Sequence, residues 1–202
     1  MFVRRFVATY RVCHRFSVSV VRFTRQSASL DQTLALAEEL AARIGRGDVV
    51  LLIGELGAGK TAFAKGFGAA LGVVEDITSP TFTIMREYHV TLLNEPAKFL
   101  HLDAYRLEGP QAVQDIGLLE LLDDGAFALV EWGDVVAAAF GSDPLVLEFA
   151  WLSDDARSIT VSAASDGPWI SRLRDWHGLG KLGEPGGRGN DVRDLAGEGW
   201  RA

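Results

Sequence analysis

Apolar residues recur at Leu30, Leu34, Ala37, Leu40, Ala41 and Ile44, the spacing of one helix face, with Ser29 placed to cap the helix and Gly45 to stop it. The period then changes. Val49-Val50-Leu51-Leu52-Ile53 is an unbroken, branched apolar run, as suits a strand covered on both faces in a largely parallel sheet. A glycine-rich turn opens at Gly54, and the pattern predicts a helix from about Lys60 to Leu71. Further strands are predicted over 82–88, 98–102, 127–130, 145–149 and 158–161, and residues 111–122 read as a helix interrupted near Gly117. Strands alternating with helices point to an α/β fold, with antiparallel pairing open to the later strands.

Both ends of the chain depart from this pattern. Residues 1–27 carry six arginines (Arg4, Arg5, Arg11, Arg15, Arg22, Arg25) and no acid, the composition of an organelle transit segment, yet Phe16 to Val21 alternates like a strand. This stretch is expected to lie outside the fold, as an extension, a misassigned translation start or a processed leader. From Ser165 the composition shifts to glycine and charge, with eight glycines between Gly178 and Gly199. Residues 165–202 are therefore expected to form a disordered tail in which Trp169, Trp176 and Trp200 could serve a partner. The folded domain would be residues 28–164.

Composition narrows the class. At 202 residues, 48% apolar and 23% charged, the chain can bury a sizeable core without disulfides. The single cysteine, Cys13, cannot form an internal disulfide or a cysteine zinc site, which suits a reducing, cytoplasmic setting. The longest apolar run is the six residues from Val135 to Phe140, far short of the roughly 20 needed to span a bilayer. Formal charge is −7, so removing the six arginine charges of residues 1–27 leaves −13 on the remainder. That acidity disfavours direct nucleic-acid binding through phosphate neutralisation.

The strongest chemical signal is residues 54–61, GELGAGKT, a full match to the phosphate-binding pattern G-x-x-x-x-G-K-[ST] between a predicted strand and a predicted helix. Gly54, Gly57 and Gly59 let the backbone turn its N–H groups towards a phosphate, and the following helix adds its positive end. Lys60 would reach the β and γ phosphates, and the Thr61 hydroxyl would take one place on Mg²⁺. Hydrolysis also needs a carboxylate that orders the metal or the attacking water. Asp103 in KFLHLDAYRL and Glu131 in AFALVEW each follow a strand-like run, although either could be a solvated loop acid. His101 and His89 are lone histidines, read as structural, and no ligand cluster suggests a transition metal.

Taken together, GELGAGKTAFAKGFGAALG, TSPTFTI, HLDAYRL and VEWGD closely resemble, in order and spacing, the TsaE family, also written YjeE, over about Ser29 to Val161. The resemblance implies a P-loop NTPase domain with a mixed, mostly parallel sheet flanked by helices. It implies an ATPase, slow without partners, that binds ATP and Mg²⁺ in threonylcarbamoyladenosine modification of tRNA. The implied partners are TsaB and TsaD, with tRNA met only through that complex and no membrane. By motif, residues Gly57, Ala58, Gly59, Lys60, Thr61 and Ala62 would wrap the phosphates. Thr61 and Glu131 would serve Mg²⁺, and Asp103 would act near the γ phosphate or the metal, with Lys60, Asp103 and Glu131 as the catalytic set. Ser79-Pro80-Thr81 resembles the family's switch loop, Trp132 its acid-paired tryptophan, and Leu30, Thr33 and Arg157 are candidates to border the base. Ala62 departs from the threonine common in the family and removes one hydroxyl from the loop.

Other classes fit less well. A P-loop small-molecule kinase would carry lid arginines, but only Arg86, Arg106 and Arg157 lie between the loop and the sheet's end. A GTPase would show N-K-x-D, which is absent. A nucleotide-gated docking module without catalysis would use the same binding residues, and residue types alone do not separate it from a slow ATPase.

Overall fold

The structure is a computed structural model that describes residues 20–78, 84–141, 143–174 and 176. Cys13, the Ser79-Pro80-Thr81 turn and Trp200 lie outside the described residues, as does the glycine-rich segment after Trp176. Seven strands form one sheet: β1 (Val20–Ser27), β2 (Val49–Ile53), β3 (Met85–Leu92), β4 (Glu95–Asp103), β5 (Phe127–Glu131), β6 (Leu145–Trp151) and β7 (Arg157–Ala164). Their order is β1-β7-β6-β2-β5-β4-β3. The central run β6-β2-β5-β4 is parallel, and the outer pairs β3–β4, β6–β7 and β1–β7 are antiparallel. The expected mixed sheet with a parallel centre is thus observed.

Helices cover both faces. On one side α1 (Leu30–Ala41) and α2 (Lys60–Ala70) bury Leu36, Leu40, Phe63 and Phe67 against Val50, Leu52, Phe99 and Phe127. On the other, α3 (Gln111–Asp115) and α4 (Leu118–Asp123) bury Val113, Leu118 and Leu122 against Leu51, Leu100, Leu102 and Val130. The strictly apolar β2 serves both cores because alternate residues face opposite sides. Gly66 lets α1 and α2 approach closely, since a Cβ there would lie 3.0 Å from the Leu34 backbone. The predicted break at Gly117 is real: with φ 72 it separates α3 from α4.

Two segments expected outside the domain belong to it. Residues Val20 to Ser27 form an edge strand in continuous antiparallel register with β7, from Val20↔Ala164 to Ser27↔Arg157. A further short helix, α5 (Trp169–Arg172), brings Trp169, Leu173 and Trp176 into the core. These tryptophans are therefore not exposed handles for a partner. The two segments hold each other: Trp176 meets Phe23 edge-on at 6.0 Å, and Arg25 lies 5.6 Å over the Trp176 ring while donating to the Trp176 carbonyl. Arg172 pairs with Asp48 through both terminal guanidinium nitrogens, Nη2 at 2.9 Å, and donates to the Arg43 carbonyl at 3.0 Å. Without them the β7 edge would present an unpaired row of backbone groups.

Candidate functional site

The glycine-rich loop leaves the C-terminal end of β2 and enters α2, at the side of the sheet where the parallel strands β4 and β5 also end. Gly54, Gly57 and Gly59 have φ of 145, 79 and 110, a region that other residues enter only with strain. Gly54 has a second constraint, for a Cβ there would sit 2.6 Å from the Phe149 carbonyl oxygen. Ala58 is buried and Ala62 half-buried. Among the described residues no side chain caps α2, so the N–H groups of its first turn stay available to an anion.

Lys60, only 5% exposed, folds over the loop and donates to the carbonyls of Gly54 at 2.7 Å and Glu55 at 2.9 Å. Its ammonium lies 4.0 Å over the Trp132 ring. Burial holds the Lys60 pKa below its ordinary 10.5, opposed by the charges of Glu131 and Asp103. The next residue, Thr61, donates its hydroxyl to Glu131 Oε2 at 2.7 Å. Glu131 ends β5 and is 2% exposed, and its other oxygen, Oε1, lies 3.0 Å from His101 Nε2. Asp103 ends β4 directly opposite Glu131 in the parallel register. Its Oδ1 accepts from the Tyr105 N–H at 3.0 Å, capping the turn that follows.

Trp132 closes the site from the β5 side with left-handed backbone, φ 55, a costly conformation for a bulky residue and one that concentrates at working sites. Its ring packs between Lys60 and Tyr105, whose centroid is 5.1 Å away. Gly133 follows because a Cβ would come within 2.6 Å of Leu51 Cβ. Lys60, Thr61, Glu131, Asp103 and Trp132, noted separately in sequence, are thus brought together.

The expected base-bordering residues divide. Arg157 reaches the loop: its Nε is 3.9 Å from a Cβ built on Gly59, and its guanidinium stacks on Trp151 at 4.1 Å. Leu30 is exposed in an open groove between α1 and α2 that Thr61, Ala62 and Lys65 also line. Thr33 does not line that groove. It is buried, and its hydroxyl is engaged by Ser27 Oγ at 2.7 Å, so it ties β1 to α1. Sequence reasoning missed Trp151, whose ring lies 3.2 Å from a Cβ built on Gly57, and it read His101 as structural without its contact to Glu131. A tryptophan two residues past the predicted strand 145–149 was the available signal for the first.

Residues 27–159 match the family described as threonylcarbamoyl adenosine biosynthesis protein TsaE. The chain belongs to the TsaE family. The TsaE protein of Bacillus subtilis is 38% identical over 136 residues, 67% of this chain and 82% of its own length. That of Treponema pallidum is 36% identical over 136 residues, 67% of this chain and 97% of its own. Both are named tRNA threonylcarbamoyladenosine biosynthesis protein TsaE. The crystal structure of Bacillus subtilis YdiB superposes with a TM-score of 0.61 at 32% identity, covering 74% of this chain and 90% of that one. The TsaE match ends short of most of β1 and all of α5.

Proposed function

We propose that this TsaE-family chain binds ATP with Mg²⁺ and hydrolyses it in the threonylcarbamoyladenosine modification of tRNA, in the cytoplasm and together with TsaB and TsaD. The observation that carries the reading is the Thr61 hydroxyl on the Glu131 carboxylate at 2.7 Å, beside Lys60 at the mouth of a glycine loop. A hydroxyl and a carboxylate suit Mg²⁺, which takes one or two protein oxygens and fills its shell with phosphate oxygen and water. When bound, the ion supplies positive charge against the phosphates and lowers the cost of charge developing on them.

Each protein group has a role that its position supports. The loop N–H groups and the α2 terminus receive phosphate oxygens, and the left-handed glycines keep that cradle open. Lys60 exchanges two loop carbonyls for phosphate oxygens, with Trp132 limiting water around its charge. Glu131 and Thr61 would hold the metal, and Asp103 stands beside them, placed to orient the attacking water or to help anchor the ion. Trp151 and Arg157 form a flat, cationic surface next to Gly57 and Gly59 on which a base can stack.

The test is nucleotide affinity with and without Mg²⁺, alongside single-turnover hydrolysis with TsaB and TsaD present. Lys60→Ala should lose at least about tenfold in ATP affinity, since a charge-assisted contact is worth roughly 1.5–3 kcal/mol. Glu131→Ala should still bind nucleotide while hydrolysis falls at least about tenfold, or about 1.4 kcal/mol of transition-state stabilisation. Asp103→Ala should lose hydrolysis if it orients water, and Mg²⁺-dependent affinity if it anchors the metal. Unimpaired hydrolysis in both carboxylate variants would overturn the assigned site, whereas no hydrolysis by the wild type with its partners present would leave a nucleotide-gated docking module in place of an ATPase.

A further inference from the structure

His101 is fully buried on β4, two residues before Asp103 and behind Glu131. Its Nε2 lies 3.0 Å from Glu131 Oε1, and Glu131 Oε2 accepts from Thr61 at 2.7 Å. The two carboxylate oxygens are thus divided, one held from inside the core and one turned to the loop. Among the described residues Nδ1 of His101 is buried without a hydrogen-bond partner. A hydrogen placed there would be an unmatched buried donor, so the ring N–H belongs on Nε2, donating to Glu131. The imidazole cannot readily swing away. Its face stacks on Phe99 at 6.5 Å and 24°, and Phe99 is stacked in turn by Tyr88 and Phe127.

A position that asked only for volume would be filled more cheaply by an apolar side chain, because the imidazole leaves one nitrogen unsatisfied in the core. What the imidazole adds is a donor of fixed direction on a carboxylate that otherwise rotates about its last bond. We infer that His101 is a positioning residue, whose Nε2–H fixes the Glu131 carboxylate so that Oε2 stays aimed at Thr61 and the two oxygens form one ready-made Mg²⁺ position. This rests on the reading of Thr61 and Glu131 as the metal-holding pair. Donors of this kind behind a ligand set its orientation, and their loss commonly weakens metal affinity about 10–100-fold.

The test compares His101→Gln with His101→Met in the full chain, since glutamine and methionine are alike in shape and only glutamine keeps a terminal N–H. ADP affinity is measured by calorimetry with Mg²⁺ and with a chelator, and the ratio of the two is the metal increment. His101→Met should lose about tenfold or more of that increment, with chelator-measured affinity and a cooperative melt retained, and His101→Gln should recover most of it. Equal increments in the two variants, whether both kept or both lost, overturn the inference. In the wild type, ¹⁵N-detected NMR of the histidine ring should find Nε2 protonated and Nδ1 bare. The opposite tautomer overturns the inference even if neither variant folds. A wild type with no metal increment defeats the metal-holding pair itself, whereas a normal wild-type increment with equal variants defeats His101 alone.

Discussion

Removing the flanking segments should unfold the domain rather than trim it. A fragment of residues 28–164 lacks β1, which pairs along its whole length with β7, and lacks Trp169, Leu173 and Trp176, which are 1%, 2% and 1% exposed. A buried tryptophan takes roughly 150–250 Å² out of water, which at about 25 cal/mol per Å² contributes about 4–6 kcal/mol each. Because unfolded chains already bury part of that area, about 5–10 kcal/mol for the two tryptophans is an upper range. Whole domains are stable by only about 5–15 kcal/mol. The fragment should therefore show no cooperative urea transition at 25 °C, whereas residues 20–176 should show one. In the full chain, Trp176→Ala alone should cost about 3–5 kcal/mol, read from the shift of the urea midpoint at constant slope. A 28–164 fragment with the same midpoint as 20–176 would refute the claim that these segments are part of the core.

Gly54→Ala should cost about 1–3 kcal/mol, as overpacking commonly does, because the new methyl would sit 2.6 Å from the Phe149 carbonyl at φ 145. A lowered urea midpoint together with weakened ATP binding checks it. Since burial lowers the pKa of Lys60 from 10.5 and it is the charged form that attracts phosphate, ATP affinity should fall as pH rises through that lowered value. Lys60→Arg, charged throughout, should bind with a flat profile over the same range, and a flat wild-type profile to beyond pH 10.5 would contradict the assignment. Without nucleotide, stability should rise between the lowered value and 10.5, because there the unfolded chain binds the proton that the native state has lost.

The centre of the sheet and the loop were legible because their signals are local. Val49 to Ile53 is apolar on both faces, Gly54 to Thr61 is a contiguous pattern, and Gly117 breaks a helix where a left-handed residue is needed. The edges were not, because what recruits them is not local. Residues 20–27 carry arginines on an alternating strand, which reads equally as a basic leader, and only the open edge of β7 decides between the two. Arg25 loses its leader-like meaning once it lies over Trp176 and pairs with Glu39 at 3.3 Å. Likewise Trp169 and Trp176 look like isolated aromatics in a polar tail until β1 supplies Phe23 for Trp176 to pack against.

The site divides along the same line. Lys60 and Thr61 are fixed by sequence neighbours, so a motif finds them, but Glu131 and Asp103 depend on register. Both are the last residues of adjacent parallel strands, and the pairing of Asp103 with Glu131 and of Leu52 with Glu131 is what carries the two acids to the loop. Apolar run followed by acid is enough to nominate each of them, since a parallel sheet presents its strand ends together. His101 lies one step deeper. It belongs to the same run as Asp103 and pairs with Leu129, two residues before Glu131, so its contact with Glu131 is diagonal across two strands. A lone histidine within an apolar strand carries no periodic mark of that contact. Its role becomes visible only when one nitrogen is found on the carboxylate and the other is found without a hydrogen-bond partner among the described residues, because the cost of the second requires a reason that the first supplies.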